Sequence, residues 1–294
     1  ADRLAGRSEF SLITLDEDKR KDFEARRQAL NDADFVILCL PDDAAKEAVA
    51  MTSSAKTRII DASTAHRVDQ NWTYGFPEYR KGQHERIASA RLVSNPGCYP
   101  TGFLGLVAPL VAAGLIPEDW PYTVNAVSGY SGGGKALIER FESSDGADIG
   151  FRTYGLDLSH KHVPEMQTHA GLGLAPIFSP AVVRAFRGMM VEVPLPISVM
   201  PGSDSPEEMR ACLANHYAGS PVVTVHEQLA PSELLILNTQ EPSDRLDLYV
   251  LGSPDNTQVR LMAMLDNLGK GASGAAVQNL NIMAGLDETA GLRL

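Results

Sequence analysis

The sequence predicts an α/β fold with a doubly wound parallel sheet, followed by an α+β part with a mostly antiparallel sheet. In the first hundred residues, short Val/Ile/Leu runs alternate with helical patterns, which is typical of βαβ units. The second half carries strand-like segments, several with period-two alternation, and only one clear helix among them. That pattern indicates antiparallel pairing with one face covered.

The first part is built from three repeats of one design. From Asp34, "DFVILCLPDD" predicts a strand buried on both faces, which leads into the helix "AAKEAVAM". "TRIIDAST" and "ARLVSNPG" are further apolar runs that end in polar or turn residues. Ligands of such sheets lie beyond the carboxyl ends of the strands, so we expect functional residues at Pro41, at 61–67 and at Cys98.

The amino-terminal segment departs from a complete Rossmann-type dinucleotide domain. Such a domain begins with a strand and a glycine-rich loop. Here "ADRLAGRSEFSLITL" predicts the end of a helix followed by the second strand. We therefore expect the first βα unit to be missing from this sequence.

The second part begins with the helical pattern "YPTGFLGLVAPLVAAG" and the strand "YTVNAV". Further strands are predicted at "MMVEVPLPI", "PVVTVHEQ", "LLILNTQ", "RLDLYVLG" and "QVRLMAML", with a helix at "SPEEMRACLANHY". A glycine-rich turn and a helix, "GKGASGAAVQNLNIMAGL", then return to the first domain. The predicted domains are a dinucleotide-binding domain over 1–97, a catalytic and substrate domain over 98–268, and a returning C-terminal helix over 269–294.

Composition excludes several classes of function. The 294 residues are 44% hydrophobic and 21% charged, as in ordinary packed proteins. A net charge of -11 argues against nucleic acid as a partner, since that binding depends on clustered Lys and Arg. The longest apolar stretch, 103–116, is too short to span a membrane. Three cysteines without CxxC spacing indicate a reducing, cytoplasmic location.

Cys98 is the best candidate for a nucleophile. It lies in the Pro-Gly turn of "SNPGCYPTG", directly before a predicted helix. The positive end of the helix dipole would stabilise a thiolate there, and the thiolate is the reactive form. Cys39, inside "VILCL", and Cys212, in an amphipathic helix, are interpreted as buried structural cysteines.

The segment "SHKHVPEMQTHAG" offers the acid/base group that a cysteine nucleophile needs. It carries His160, His162 and His169, and Glu165 lies three residues after His162, close enough to orient its ring. Two alternatives stay open. One is a metal site of His-x-His type with Cys98 as third ligand, and the other is a set of solvated loop histidines.

Two further segments suggest anion binding. "SGYSGGGKA" matches the phosphate loop pattern GxxxxGK up to Lys135, but Ala136 stands where that loop has a Ser or Thr for Mg²⁺. Its backbone N–H groups and Lys135 would still hold a phosphate. Arg67, in "DASTAHR", follows a strand and would bind a carboxylate or phosphate, or it is an ordinary surface Arg.

Together, "SNPGCYPTG", "YGFPE", "SGYSGGGK", "HKHVPEM" and "GASGAAVQNLNIMAGL" resemble the N-acetyl-γ-glutamyl-phosphate reductases of arginine biosynthesis, in their shorter bacterial form. The resemblance implies NADPH-dependent reduction of an acyl phosphate to an aldehyde, with release of phosphate. Cys98 would form a thioester, His162 would be the acid/base, and Glu165 would orient it.

The resemblance also implies binding residues. The small-molecule acyl phosphate substrate would contact Arg67, Ser128, Ser131 and Lys135. No metal would be needed. The residues expected to bind NADP are Leu40, Pro41, Ser63, Gly132, Gly133, Gly134, Gly271, Gly274 and Asn279. The family leads us to expect a homo-oligomer, a dimer or a tetramer, and the composition leads us to expect no nucleic acid or membrane partners.

Three alternatives remain at this level. A sister enzyme of the same architecture, such as an aspartate-semialdehyde or glyceraldehyde-phosphate-type dehydrogenase, would use the same Cys/His chemistry on another substrate. A Cys/His hydrolase of thioesters or amides would need no nicotinamide. A P-loop module would bind ATP or GTP with Mg²⁺, although Ala136 speaks against it.

Overall fold

The computed structural model of the protein describes residues 3–200, 202–227 and 232–294. The chain divides into two compact units. Unit 1 comprises Ala1–Pro77, Gly82–Pro96 and Ala275–Leu292, and unit 2 comprises Glu78–Lys81, Gly97–Gly274 and Arg293–Leu294. The domain boundaries at 97 and 268 stay a prediction, which this division into units does not test.

Unit 1 is built on a four-stranded parallel sheet with strand order β1-β2-β4-β3. Its strands are β1 Phe35–Leu38, β2 Arg58–Asp61, β3 Thr73–Tyr74 and β4 Leu92–Ser94. Its helices are α1 Phe23–Asp32, α2 Asp42–Met51, α3 Gln83–Ser89 and, beyond its first residue, α8 Gly274–Ala284.

Both faces of this sheet are covered, as the predicted doubly wound fold requires. Neighbouring side chains of β2 point to opposite faces. Ile59 packs in a cluster with Ala45 and Ala48 of α2, whereas Ile60 packs with Ile87 of α3 and Leu280 of α8. The alternating sequence of apolar runs and helices therefore predicted the α/β architecture correctly.

Two details of unit 1 differ from the prediction. The strand β1 is half-buried over 35–37, not buried on both faces, because it ends the strand order and pairs only with β2. The second strand expected in "SEFSLITL" is wrong, because 10–16 have no regular secondary structure and Leu12 and Ile13 are exposed. An apolar run forms a strand only where a neighbouring strand takes its hydrogen bonds, and none of the described strands pairs with this run.

Unit 2 is built on a seven-stranded mixed sheet with strand order β6-β7-β5-β8-β11-β10-β9. Its strands are β5 Thr123–Gly129, β6 Phe151–Thr153, β7 Ile177–Val183, β8 Met189–Pro196, β9 Val223–Val225, β10 Leu246–Gly252 and β11 Gln258–Leu265. The pairings β5-β7 and β9-β10 are parallel and the other four are antiparallel, which confirms a mostly antiparallel sheet.

The helices of unit 2 are α4 Cys98–Ala112, α5 Gly134–Glu142, α6 Val163–Ala170 and α7 Pro206–His216. Helix α4 is buried along most of its length and packs on β8, β11, α6 and α7. Pro109 inside it has no N–H to donate to the carbonyl of Gly105, and the hydroxyl of Tyr217 donates to that carbonyl instead, at 2.8 Å. The proline is thus tolerated because a side chain replaces the lost helical hydrogen bond.

One predicted strand of the second half is wrong. "LLILNTQ" forms no strand; Gln240 N–H bonds to the carbonyl of Leu237 in a turn, and Leu235 and Leu237 are exposed. Its other two apolar residues, Leu234 and Ile236, are half-buried, and no described strand pairs with the run. Gln228, where "PVVTVHEQ" ends, lies outside the described residues. Among the helices that the structure describes, none has the length and apolar character to cross a bilayer.

Candidate active site

Cys98 is the first residue of α4 and is half-buried. Gly97 forms the N-cap before it, so the thiol lies in the first turn, where the helix dipole favours a negative charge. The other two cysteines are not the buried residues that the sequence predicts: Cys39, which follows the edge strand β1, is exposed, and Cys212 on α7 is half-buried. Of the three thiols, only Cys98 lies at the start of a helix.

Tyr99 connects the start of α4 to the predicted histidines. Its ring lies edge-on to the rings of His162 and His160, with centroids 5.9 and 6.3 Å apart, and its hydroxyl donates to the carbonyl of Ala181 at 3.2 Å. Burial, with further contributions from Tyr154 and Cys98, raises the pKa of Tyr99 above its usual range. The packing of α4 on α6 therefore places His162 against the residue that follows Cys98.

Glu165 also meets the start of α4. Its carboxylate is buried, and Oε1 accepts a hydrogen bond from the backbone N–H of Gly97 at 2.8 Å. A carboxylate stabilises the amino-terminal end of a helix by satisfying one of its free N–H groups. That Glu165 orients the His162 ring stays a prediction, and the structure adds its contact with the turn that carries Cys98.

The three histidines of the motif have different surroundings. His162 is buried and is the N-cap residue of α6, and His160 lies in the preceding loop. His169 lies in the last turn of α6, and its ring is edge-to-face with that of Tyr79, with the two centroids 6.1 Å apart. Within 3–200, 202–227 and 232–294, no group of three or more His, Cys, Asp or Glu residues is arranged to hold a metal ion.

The serines predicted to bind substrate are buried and held in place. Ser128 Oγ donates to the carbonyl of Gly129 at 2.9 Å, and Ser131 Oγ accepts from Asn267 Nδ2 at 2.9 Å. Lys135, by contrast, points into solvent and lies 3.6 Å from Glu139. Ser128 lies near the end of β5, Ser131 lies in the turn that follows, and Lys135 lies in the first turn of α5, and the fold fixes the two serines more firmly than the lysine.

The glycine-rich loop is bonded differently from a phosphate-binding loop. It has the predicted strand-loop-helix context, because β5 leads into a 3₁₀ turn over Tyr130–Gly133 and then into α5. The N–H groups of Gly129, Tyr130 and Ser131 donate to the carbonyls of Gly188, Ala185 and Phe186. These three donors are used within the protein, so the loop does not present them to a ligand.

Arg67 is buried at the carboxyl edge of the parallel sheet. Its Nε donates to the carbonyl of Asn95 and its Nη2 to the carbonyl of Ala62, each at 3.0 Å. In the same loop, Ser63 Oγ donates to Asp61 Oδ2 at 2.6 Å. Arg67 thus joins the residues that follow β2 and β4, and this bonding fixes the edge at which a ligand is expected.

The residues predicted to contact the cofactor fall in both units. In unit 1, Leu40 and Pro41 are exposed after β1, Ser63 is buried after β2, and Asn279 is fully buried on α8. In unit 2 they are the loop glycines Gly132, Gly133 and Gly134, and the pair Gly271 and Gly274. A side chain on Gly271 would lie 2.9 Å from Cys98 Cβ, and one on Gly274 would lie 2.0 Å from Asp244 Oδ1. The assignment of these residues to the cofactor stays a prediction.

The sequence analysis missed a polar group at the end of β11. Asp266 is buried and its Oδ2 accepts from Arg187 Nη1 at 2.9 Å, and Asn267 binds both Ser131 and the N–H of Gly188. Both residues directly follow a strand, which is the signal that marks the polar residues of the first sheet. Arg187 carried no such signal, because it lies between two strands in "RAFRGMM".

Family comparisons cover most of the chain. Residues 98–267 match the family described as "Semialdehyde dehydrogenase, dimerisation domain", and residues 4–88 match "Semialdehyde dehydrogenase, NAD binding domain". The solved structure of aspartate semialdehyde dehydrogenase II from Vibrio cholerae superimposes with a TM-score of 0.63 at 16% identity, covering 87% of this chain and 81% of that one. The enzyme from Francisella tularensis gives a TM-score of 0.66 at 13% identity, covering 88% and 84%. At these identities the structures show a shared fold.

Relatives of known name are much closer in sequence. N-acetyl-gamma-glutamyl-phosphate reductase 2 of Nostoc sp. is 48% identical over 99% of this chain and 94% of its own length. N-acetyl-gamma-glutamyl-phosphate reductase of Brucella ovis is 52% identical over 96% and 93%. The chain therefore belongs to the semialdehyde dehydrogenase family and, within it, to the N-acetyl-γ-glutamyl-phosphate reductases.

Proposed function

We propose that this protein reduces N-acetyl-γ-glutamyl phosphate to N-acetylglutamate semialdehyde and phosphate, with NADPH as reductant, in arginine biosynthesis. The observation that carries the proposal is the position of Cys98 at the first turn of α4, with Tyr99 packed on His162. The helix dipole at this turn favours the reactive thiolate, and the contact of Tyr99 with His162 supports His162 as the acid/base. The names of relatives at 48% and 52% identity support the same reaction.

The chain's own residues divide the reaction into two stages. Cys98 Sγ attacks the acyl carbon, and the bond from that carbon to the phosphate oxygen breaks. Phosphate departs, and the acyl group stays on Cys98 as a thioester. When bound, NADPH supplies the hydride that reduces this thioester. His162 gives a proton to the resulting oxygen of the thiohemiacetal and takes one back as the carbon–sulfur bond breaks, which frees the semialdehyde and the thiolate. Glu165 holds the start of α4 in place through Gly97.

Arg187 is the cation that we propose for the substrate's negative charge. Its guanidinium is held by the buried carboxylate of Asp266. The backbone carbonyl of Asp266 lies beside Gly271, and Gly271 lies beside Cys98. Arg187 remains partly exposed and offers more donors than the bond to Asp266 uses. An anchored guanidinium of this kind suits a carboxylate or phosphate.

Asn279 supports nicotinamide binding in unit 1. Its Nδ2 donates to the carbonyl of Gly75 at 2.8 Å and to Asn95 Oδ1 at 3.2 Å. Its Oδ1 is buried without a hydrogen-bond partner in the described part of the chain. An unsatisfied buried acceptor costs about 1–3 kcal/mol, and an amide N–H such as that of a carboxamide would remove the cost. Ser63 and Pro41, at the carboxyl edge of the same sheet, are the further residues proposed to hold NADP.

We also propose that the protein forms a homo-oligomer, a dimer or a tetramer. The matched family over 98–267 is described as a dimerisation domain. On β7, Phe178 and Pro180 are buried whereas Ile177 and Ser179 are exposed, so one face of the sheet stays open to a second copy. Sedimentation velocity over a range of protein concentrations tests this. A cytoplasmic location stays a prediction.

The function is tested by running the reaction backwards. NADPH formation is followed by absorbance with N-acetylglutamate semialdehyde and NADP⁺, in the presence and absence of inorganic phosphate. Aspartate semialdehyde serves as the second substrate, and a Cys98→Ser variant serves as the enzyme control. Phosphate-dependent signal with the acetylated substrate alone, lost by several powers of ten in Cys98→Ser, is the expected result.

Other outcomes point to the alternatives. Turnover of aspartate semialdehyde would favour the sister enzyme of the same fold. Thioester hydrolysis without nicotinamide would favour the Cys/His hydrolase. Mg²⁺-dependent nucleotide binding lost in Lys135→Ala would favour the P-loop module, which the bonded N–H groups of the loop already disfavour.

A further inference from the structure

His160 is one of two histidines of the motif, with His169, that have no role in the proposed reaction. It lies in the loop before α6, and four aromatic rings pack around it. The ring centroids of Tyr99, Tyr154, His162 and Phe178 lie 6.3, 5.6, 4.8 and 5.0 Å from its own, all with edge-to-face geometry. A solvated loop histidine does not have such an enclosure, so the ring is a fixed part of the fold around His162.

A hydrogen bond connects His160 directly to the backbone of His162. The N–H of His162 donates to His160 Nδ1 at 3.1 Å, and the N–H of Val163 donates to the carbonyl of His160 at 2.9 Å. His160 therefore satisfies two of the N–H groups at the start of α6. A ring nitrogen accepts a hydrogen bond only when it carries no proton, so the bond requires the neutral ring with its proton on Nε2.

The surroundings keep the ring neutral. Burial, assisted by the charge of Lys161 and opposed by that of Asp157, lowers the pKa of His160 to about 4. The other titratable groups against it are Tyr99 of α4, Tyr154 of the loop after β6, and His162 itself. Burial raises the pKa of both tyrosines, which stay uncharged near neutral pH.

We propose that His160 is a positioning residue for His162. Its neutral imidazole accepts the hydrogen bond from the His162 N–H and so holds the backbone of His162 in place. Together with Tyr99, it also packs against the His162 ring and limits how that ring is oriented. Because His160 does not take up a proton, His162 alone carries the charge that the chemistry requires. A second imidazolium 4.8 Å away would oppose that protonation. The inference rests on the proposed Cys98 and His162 chemistry.

The test measures the rate of Cys98 alkylation by iodoacetamide between pH 5 and 9. Cys39 and Cys212 are first replaced by Ser, because the exposed Cys39 would otherwise react. In this background, His160→Asn keeps an acceptor near the position of Nδ1, and His160→Phe keeps the ring but has no acceptor. His226→Asn is the matched control. His226 follows β9, which lies at the opposite end of the sheet from β6, the strand that precedes the His160 loop.

We expect His160→Asn and His226→Asn to keep the parent's pH midpoint and rate. We expect His160→Phe to shift the midpoint by about half a pH unit or more, and to lower kcat of the reductase about tenfold with little change in KM, the size of one lost hydrogen bond. Equal behaviour of His160→Asn and His160→Phe, in either direction, would show that the acceptor is not what matters and would overturn the inference.

Two further measurements keep the test decisive. If His160→Phe does not fold, histidine NMR on the parent protein reports the tautomer directly. We expect His160 to stay neutral, with its proton on Nε2, from pH 6 to 8, and protonation in that range overturns the inference. Alkylation needs no substrate, so it is readable whatever the enzyme reduces. If His162→Asn also leaves the alkylation profile unchanged, the proposed Cys98 and His162 chemistry has failed instead.

Discussion

Two lysines in glycine-rich segments of unit 2 have opposite surroundings. Lys135, in "GGGKA", lies 3.6 Å from Glu139, and the two side chains are 90% and 65% exposed. Lys270, in "LGKGA", lies 2.9 and 2.8 Å from the two oxygens of Glu78, and the side chains are 2% and 9% exposed. The motif drew attention to Lys135, but the fold makes Lys270 the residue that matters for structure.

The reason is the cost of burying charge. An exposed ion pair is screened by water and contributes about 0–1 kcal/mol. A buried pair loses several kcal/mol of hydration per ion, which only close geometry offsets. Lys270 lies in one turn of π-helix over Gly269–Ser273, and the next residue, Gly271, borders Cys98. The buried pair therefore fixes the turn that forms one side of the candidate site.

Removing the charge of Lys270 tests the buried side of the comparison. Lys270→Met leaves the Glu78 carboxylate buried without its main cation, so we expect the free energy of unfolding to fall by about 3–5 kcal/mol. Urea denaturation measures it. The double variant Lys270→Met with Glu78→Leu restores most of the loss, because no charge is then buried. A loss below about 1 kcal/mol in the single variant would place Lys270 in the same class as Lys135.

Gly271→Ala tests whether the turn tolerates any change beside Cys98. The new methyl group would lie 2.9 Å from Cys98 Cβ and 3.2 Å from the carbonyl oxygen of Asp266, so one of them must move. Overpacking of this kind costs about 1–3 kcal/mol. Gly150→Ala is the control, because a methyl group there meets open space. The free energy of unfolding and the rate of Cys98 alkylation are measured for both variants. Equal values for Gly271→Ala and Gly150→Ala would show that the turn accommodates the methyl group.

Acid extends the contrast between buried and exposed groups to the histidines. The folded pKa of His160 is about 4 and the unperturbed value is 6.5. Between these values the unfolded chain binds more protons, so the contribution of His160 to stability is full above about pH 6.5 and is lost as the pH falls toward 4. We expect His160→Asn to show a smaller loss of stability across this window. Parallel curves for the parent and the variant would argue against a half-buried ring that stays neutral.

The sequence was sufficient for the parts of the fold that local patterns determine. Short apolar runs that end in turn residues predicted β1, β2 and β4, a helical pattern with a proline in its first turn predicted α4, and the strand-like segments of the second half predicted β8, β10 and β11. It failed at "SEFSLITL" and "LLILNTQ", where the pattern of a strand is present but no described strand pairs with it. Pairing is a property of the whole sheet, so an isolated run of residues does not reveal it.

The candidate site follows the same division. Cys98 and His162 were predicted because a turn before a helix and a histidine motif are local signals. Contacts between residues far apart in the sequence were not predicted. Glu165 accepts from Gly97 at a separation of 68 positions, Lys270 binds Glu78 at 192, and Asn267 donates to Ser131 at 136. Such pairs form only when the chain has folded, and burial then decides which charged residue is structural.

Lys135 carries the smallest stability effect, and it decides whether exposure means that the residue has no role. Lys135→Ala removes an exposed i,i+4 pair with Glu139, so we expect the free energy of unfolding to change by no more than about 0.5 kcal/mol. A cation reserved for the acyl phosphate would instead appear in kinetics, as a raised KM that added salt raises further, with kcat and the alkylation rate of Cys98 unchanged. Glu139→Ala removes the same pair and keeps the cation, so it separates the two readings. If both variants leave KM unchanged, Lys135 does not bind the substrate's negative charge, and Arg187, which the buried carboxylate of Asp266 holds in place, stays the proposed cation.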